Sequence, residues 1–336
     1  MNVLVVGGGG TIGSTVAYTL AVQQPTIDLT LVDPRTDAAR GHAIDLRHSQ
    51  CHAAHAVGRP AFDGDRPGTV SAVDPDSRTG AETDPTLVDD ADVIVVTASA
   101  PRSPDSFERG GRLSVLERNL EIAADLGAWF ADGEPTPTVV VANPCDRIAH
   151  RLWEASGWPR RRFLGYSLSE TARLADELAR RADGDVSPSD VSCPIVGEHG
   201  EHMVPVFSRA TVDGEPISLS ADDREAILDS VRSIPYDVIE MRGGADSSRW
   251  VTGRGVALIV GRLLEGGTDG ATGDRGADPV CLSTPLSGEY GLEGVSLSVP
   301  VVLDEGGVAE IVEWDLADDE REGLEAAAEA VRASLE

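Results

Sequence analysis

Lysine is absent from this 336-residue chain: all 28 basic residues are arginine, set against 57 acidic ones, for a formal net charge of -29. A surface of that sign repels nucleic acid and anionic membranes, which excludes both as partners. The acid is spread along the chain and forms no tail, a distribution that suits concentrated salt, where the Debye length shrinks to about 3 Å and self-repulsion is screened. A halophilic cytoplasm is the expected setting. Cysteine is scarce as well: Cys51, Cys145, Cys193 and Cys281 stand far apart, with no CxxC pair and no His/Cys ligand spacing. Free thiols in a reducing compartment are expected, and no metal site. No apolar run approaches the roughly 18 residues of a membrane span. The chain opens on Asn2-Val3-Leu4-Val5-Val6 without a basic region, apolar stretch and cleavage site, so no signal peptide is expected.

What is present begins with short valine-rich runs. Val3 to Val6 is too short for a helix and suits a strand buried on both faces of a parallel sheet. Gly7 to Gly13 follows at once, and Ser14 to Gln23 then reads as a helix. Gly8, Gly10 and Gly13 fit the G-x-G-x-x-G spacing, in which glycine permits the tight turn, the approach of a pyrophosphate and close helix packing. Four glycines in a row also fit a plain flexible turn. The context favours the first reading, because Leu29 to Val32 is a second buried run that ends in Asp33, twenty residues after Gly13. A carboxylate there accepts hydrogen bonds from the adenosine ribose and repels a 2'-phosphate, which favours NAD over NADP. Asp33 could otherwise only start a turn with Pro34.

Arg40 to His48 reads as a second crossover helix, and Arg59 to Pro85 as irregular chain with a short edge strand at most. Ala91 to Thr97 is the next buried strand, and Ala98 to Gly111 a long polar loop at its carboxyl end, where open α/β sheets bind ligands. Arg112 to Phe130 shows helical spacing of apolar residues, and Thr138 to Ala142 is a further strand ending in Asn143-Pro144. This alternation predicts an α/β fold, a Rossmann-type doubly wound parallel sheet, with an NAD-binding domain over residues 1–145. Residues 146–336 then predict an α+β catalytic domain. Its helices fall near Ser167 to Arg181, Asp223 to Arg242, Gly253 to Glu265 and Ala317 to Leu335, with a hairpin around Asp304 to Gly307.

Within that second part, Val196 to His202 places Gly197 and Gly200 on either side of His199. Flanking glycines give a sharp turn and room beside a ligand, and histidine is the side chain that gives or takes a proton near neutrality. A solvated surface turn is the plain alternative, and it is the simplest reading of His202.

Several motifs in one order carry a resemblance. They are the glycine turn, Asp33, Gly41 to Leu46, Ala100-Pro101-Arg102, Arg112-Leu113 through Asn119, Asn143-Pro144, Glu170 with Arg173, Gly197 to Gly200, and Glu310 to Trp314. Together they resemble the L-lactate/L-malate dehydrogenase family, most closely the malate dehydrogenases of lactate-dehydrogenase type. The resemblance implies hydride transfer between NAD and a small 2-hydroxy acid, (S)-malate by preference, with lactate or another 2-hydroxy acid as the alternative. A non-catalytic NAD-binding protein is the reading outside the enzyme class.

On this resemblance His199 is the proton carrier and Glu170 its carboxylate partner, where the family has an aspartate; Ser167 and Glu170 also have capping-box spacing. Arg173, one helical turn on, grips the substrate carboxylate, or else forms an ordinary surface pair with Glu170. Asn143 touches the substrate and cofactor side, or else only ends the strand in a turn before Pro144. Arg112, seven residues before Asn119, polarises the carbonyl, with Arg109 as the alternate because the loop is longer than the family's usual one. Arg102 stands at the position that discriminates malate from lactate, where a positive charge pairs with a second carboxylate. The cofactor is expected against Gly8, Gly10, Thr11, Ile12, Gly13, Asp33, Thr97, Ala98, Asn119, Val141 and Asn143. Ser248 is a further candidate for the pocket wall. A homo-oligomer, dimer or tetramer, is implied too.

Overall fold

The structure, a computed structural model, describes residues 1–50, 67–73, 86–101, 111–182, 184–244, 248–266 and 279–335. The valine runs become the centre of a sheet because helices follow each of them and cover both faces. In chain order the first half comprises β1 (Asn2–Val6), α1 (Thr11–Gln23), β2 (Asp28–Val32), α2 (Thr36–Gln50) and β3 (Val70–Val73). It continues through α3 (Thr86–Asp89), β4 (Val93–Val96), α4 (Leu116–Phe130), β5 (Thr138–Val140), α5 (Cys145–Ser156) and β6 (Phe163–Gly165). These strands lie parallel in the order β3-β2-β1-β4-β5-β6, a doubly wound sheet that reverses direction of growth between β1 and β4.

The pleat divides β1 between two cores. Val3 and Val5 join Val16, Leu20 and Leu31 on one side of the sheet, while Leu4 and Val6 join Ile94 and Phe130 on the other. Burying each such side chain contributes about 1.5–3 kcal/mol. The edge strand allowed for within Arg59 to Pro85 is β3. The helix expected from Arg112 starts instead at Leu116, after a 3-10 turn at Gly111–Val115. The helix expected at Arg40 to His48 is longer at both ends.

The second half comprises α6 (Leu168–Arg181), β7 (Val191–Ser192), β8 (Ile195–Gly197), β9 (Met203–Pro205), β10 (Thr211–Val212), β11 (Glu215–Pro216) and α7 (Ala221–Met241). It ends with α8 (Arg249–Leu264), β12 (Val280–Ser287), β13 (Glu293–Asp304), β14 (Gly307–Ile311) and α9 (Asp318–Arg332). The expected hairpin is β13 with β14. The sheet does not stop at β6: β12 joins it antiparallel through Ser283 and Gly165, and β13, β8 and β9 follow. One continuous sheet therefore runs through both halves, with β7, β10 and β11 in a small separate one. A third core of Leu174, Leu178, Ile195, Met203, Ile227 and Val231 holds α6 and α7 against β8 and β9. That packing brings α6 beside the turn after β8.

Candidate active site

The glycine turn lies at the sheet's switch point, against the carboxyl ends of β1 and β4. Gly7 and Gly8 donate to the Val32 carbonyl at 2.8 and 3.1 Å, and Gly9 donates to Asp33 Oδ2 at 3.0 Å. Gly7 has φ +90, and a Cβ there would stand 2.5 Å from the Ala98 nitrogen. At Gly13 a Cβ would fall 2.2 Å from the Gly7 carbonyl oxygen, so the start of α1 can sit on β1 only as glycine. Gly10 caps α1, whose first residues are Thr11, Ile12 and Gly13. A helix start leaves backbone N–H groups without helical acceptors and favours an anion. Thr97 Oγ1 donates to the Val6 and Gly7 carbonyls at 3.0 and 3.1 Å and closes the floor of the cleft.

Asp33 is buried and also accepts from the Arg35 N–H at 2.8 Å, with the Arg35 guanidinium at 3.2 Å. Asn119, 2% exposed, uses its whole side chain to join two strand-end loops: Oδ1 accepts from Ala100 N–H at 2.7 Å, and Nδ2 donates to the Asn143 carbonyl at 2.8 Å. The cradle fits a dinucleotide on three counts: bare glycine backbone, a helix start and a ribose-height carboxylate. Asn143 Oδ1 adds a buried acceptor without a hydrogen-bond partner among the described residues.

Beyond the cradle a cavity of about 100 Å³ brings together Ile12, Thr97, Val141, Asn143, Arg173 and His199. Its far wall is Pro235, Tyr236 and Ile239 from α7 with Ser248 and Thr252 at α8. Elements more than a hundred residues apart thus face one small volume. Tyr166 and Ser169 complete it: Ser169 Oγ donates to the Tyr166 hydroxyl, which donates to the Val251 carbonyl at 3.1 Å. Burial pushes the Tyr166 phenol up to about 12, so it stays neutral.

His199 Nδ1 lies 2.5 Å from Glu170 Oε2, with both residues buried. The capping-box alternative fails on geometry. Ser167 makes no side-chain cap, and its hydroxyl donates to the Cys281 carbonyl at 3.1 Å, while Glu170 is turned to His199. The surface-pair alternative for Arg173 fails as well, since Glu170 is only 1% exposed and Arg173 lines the cavity. Arg102 and Arg109 lie outside the described residues; Arg112 is placed in the 3-10 turn by its backbone only.

Other site features carry no signal in the sequence. Asp146, at the start of α5, accepts the His199 backbone N–H on Oδ2 at 2.9 Å, and burial pushes its carboxyl up to about 6. Arg147, the next residue, is fully buried and pairs with Glu198 at 2.6 Å. An acid followed by an arginine after Asn143-Pro144 reads as an ordinary exposed first turn. His202 is exposed, as expected.

Residues 1–64 and 69–165 match the lactate/malate dehydrogenase NAD binding domain, and residues 170–336 the alpha/beta C-terminal domain of the same family. A malate dehydrogenase of the halophile Halobacterium salinarum is 32% identical over 339 aligned positions, covering 100% of this chain and 98% of its own. An L-lactate dehydrogenase of Staphylococcus aureus is 30% identical and covers 95% of this chain and 92% of its own. The structure of malate dehydrogenase from Salinibacter ruber superimposes with a TM-score of 0.79 at 29% identity, over 100% of this chain and 96% of that one. Family models that together span nearly the whole chain leave one conclusion: it belongs to the lactate/malate dehydrogenase family.

Proposed function

We propose that the protein is an NAD-dependent malate dehydrogenase that interconverts (S)-malate and oxaloacetate, with His199 as proton carrier. The observation that carries this reading is the 2.5 Å His199–Glu170 pair in a cavity that also holds Arg173 and Asn143. With Nδ1 directed at the Glu170 carboxylate, the tautomer is fixed and Nε2 is the atom left to take the substrate's hydroxyl proton. The carboxylate then stabilises the imidazolium, which returns the proton in the reverse direction. Arg173 binds the C1 carboxylate through two parallel hydrogen bonds, and Asn143 contacts the oxygen-bearing carbon's side of the cavity. Arg112 is the proposed polariser of the C2 carbonyl, with Arg109 as its alternate, and the charge of Arg102 is the proposed selector for the second carboxylate of a four-carbon diacid. When bound, NAD supplies the hydride acceptor and NADH the donor. It would be held by Gly8, Gly10, Thr11, Ile12, Gly13, Asp33, Thr97, Ala98 and Val141, while Asn119 fixes the loops on either side.

The apolar residues Tyr18 and Val22 on α1, Ile44 on α2 and Leu258 and Trp250 on α8 are exposed on helices that neighbour one another, which supports a homo-oligomer, dimer or tetramer. Among the described residues no helix is long and apolar enough to cross a membrane, and widely spaced free thiols support a cytoplasmic location.

NADH oxidation measured in concentrated salt with oxaloacetate, pyruvate and bulkier 2-keto acids tests the assignment. Oxaloacetate is expected to turn over fastest, and Arg102→Gln to lower its turnover far more than that of pyruvate. Pyruvate outrunning oxaloacetate would overturn the malate assignment, and no turnover with any of these acids would overturn the enzyme reading.

A further inference from the structure

Two adjacent residues at the start of α5 grip two adjacent residues of the catalytic turn. Asp146 Oδ2 accepts from the His199 backbone N–H at 2.9 Å, and Arg147 Nη1 donates to Glu198 Oε1 at 2.6 Å. The other Glu198 oxygen accepts from the His202 N–H at 3.1 Å, so this carboxylate lies across the turn and closes it. Arg147 reaches in the opposite direction too. Its Nε donates to the Ser334 hydroxyl and its Nη2 to the Ala330 carbonyl, at the end of the last helix, α9. Asn143, at the substrate cavity, lies only three residues before Asp146.

A buried ion pair is a poor device for stability alone, because desolvation offsets its Coulomb attraction and an apolar pair of similar volume serves as well or better. Its geometric return here is specific: it fixes the backbone from which the imidazole projects. We propose that Asp146, Arg147 and Glu198 are positioning residues for His199, a buried brace through which α9 holds the proton carrier in line with Glu170. This inference rests on His199 being the proton carrier of the proposed reaction.

The test separates positioning from folding. In the Arg147→Met/Glu198→Met double variant both buried charges go together, so the fold is not left with a lone ion. The exposed His202 finds water in place of the lost carboxylate. The melting temperature and the KM for NADH are expected to stay near the parent values, while kcat with oxaloacetate falls about ten- to hundredfold, the range that follows small misplacement of a reacting group. Asp146→Ala is expected to lower kcat likewise, and Asp146→Asn, which keeps an oxygen for the His199 N–H, to restore most of it. A double variant with parental kcat, or an asparagine variant no better than the alanine one, overturns the brace. Should the double variant not fold, the Asp146 pair alone decides. Parental turnover is recorded first, so failure of the proposed reaction shows there. The brace is then read independently from the low-field resonance of the His199 Nδ1 proton, which faces Glu170, expected to shift in Asp146→Ala and to return in Asp146→Asn; an unshifted resonance overturns it.

Discussion

Two turns of this molecule depend on glycine, and they are built on opposite principles. The turn at Gly7 to Gly13 is a backbone site: its partners are the Val32 carbonyl, the Asp33 carboxylate and the Thr97-Ala98 segment, all at the ends of neighbouring parallel strands. The turn at Gly197 to Gly200 presents a side chain, which Glu170 faces, while its backbone is held by Asp146 and, through Arg147 and Glu198, by residues as distant as Ser334. A turn whose work is done by N–H groups and bare Cα atoms is specified by its own residues. A turn whose work is done by an imidazole is specified by what surrounds it.

If the two turns divide the labour in this way, variants in them fail differently. His199→Asn is expected to lower kcat by about 10²- to 10⁴-fold, the usual contribution of a general acid-base group, with NADH affinity by fluorescence titration unchanged. A loss of NADH affinity of the same size would show that the turns are not separable. Gly13→Ala is expected to do the reverse. Its new Cβ meets the Gly7 carbonyl, costs about 1–3 kcal/mol in stability and cofactor binding, and leaves kcat at saturating NADH within a few-fold. A variant with parental NADH affinity and melting temperature contradicts it.

The next effect is thermodynamic. Because burial raises the Asp146 pKa to about 6 in the folded chain, the unfolded chain ionises this group first as pH rises. The stability it lends is present below about pH 4 and lost as pH rises through 6. The stability difference between Asp146→Asn and the parent should therefore grow in favour of the variant between pH 4 and 6, by on the order of 2–3 kcal/mol, and stay flat above. A difference curve independent of pH in denaturant titrations refutes this. The smallest effect belongs to Ser167→Ala. Its hydroxyl bonds the Cys281 carbonyl and not the helix start, so about 1 kcal/mol of stability should go while kcat stays within about twofold. A large fall in kcat would return Ser167 and Glu170 to a shared cap.

Most of the first half was legible because its signals are local. Each valine run, its glycine or acid terminator and the helix after it lie within about thirty residues, the span of one βαβ unit. The short β6 and the strand β12 escaped notice, since a three-residue strand has no periodicity to read and β12 declares itself only by pairing with β6 and β13. At the proposed catalytic centre His199 and Glu170 were each visible, yet Glu170 had two equally local explanations, and only the placement of α6 against β8 turned its carboxylate to the imidazole. Asp146 and Arg147 gave no signal, because charge in a first helical turn is favourable anywhere.

The amino-acid order alone set the class of the fold, the glycine cradle and the histidine proposed as proton carrier. Those follow from which residues permit a backbone conformation, bury a strand or titrate near neutrality. The tertiary structure alone decided which carboxylate faces the imidazole, which arginine is buried against Glu198, and that the end of the chain reaches back to the turn that carries His199. Side-chain partnerships across a hundred or more residues depend on how helices pack on the sheet, and that packing is a property of the whole core, written in no single stretch.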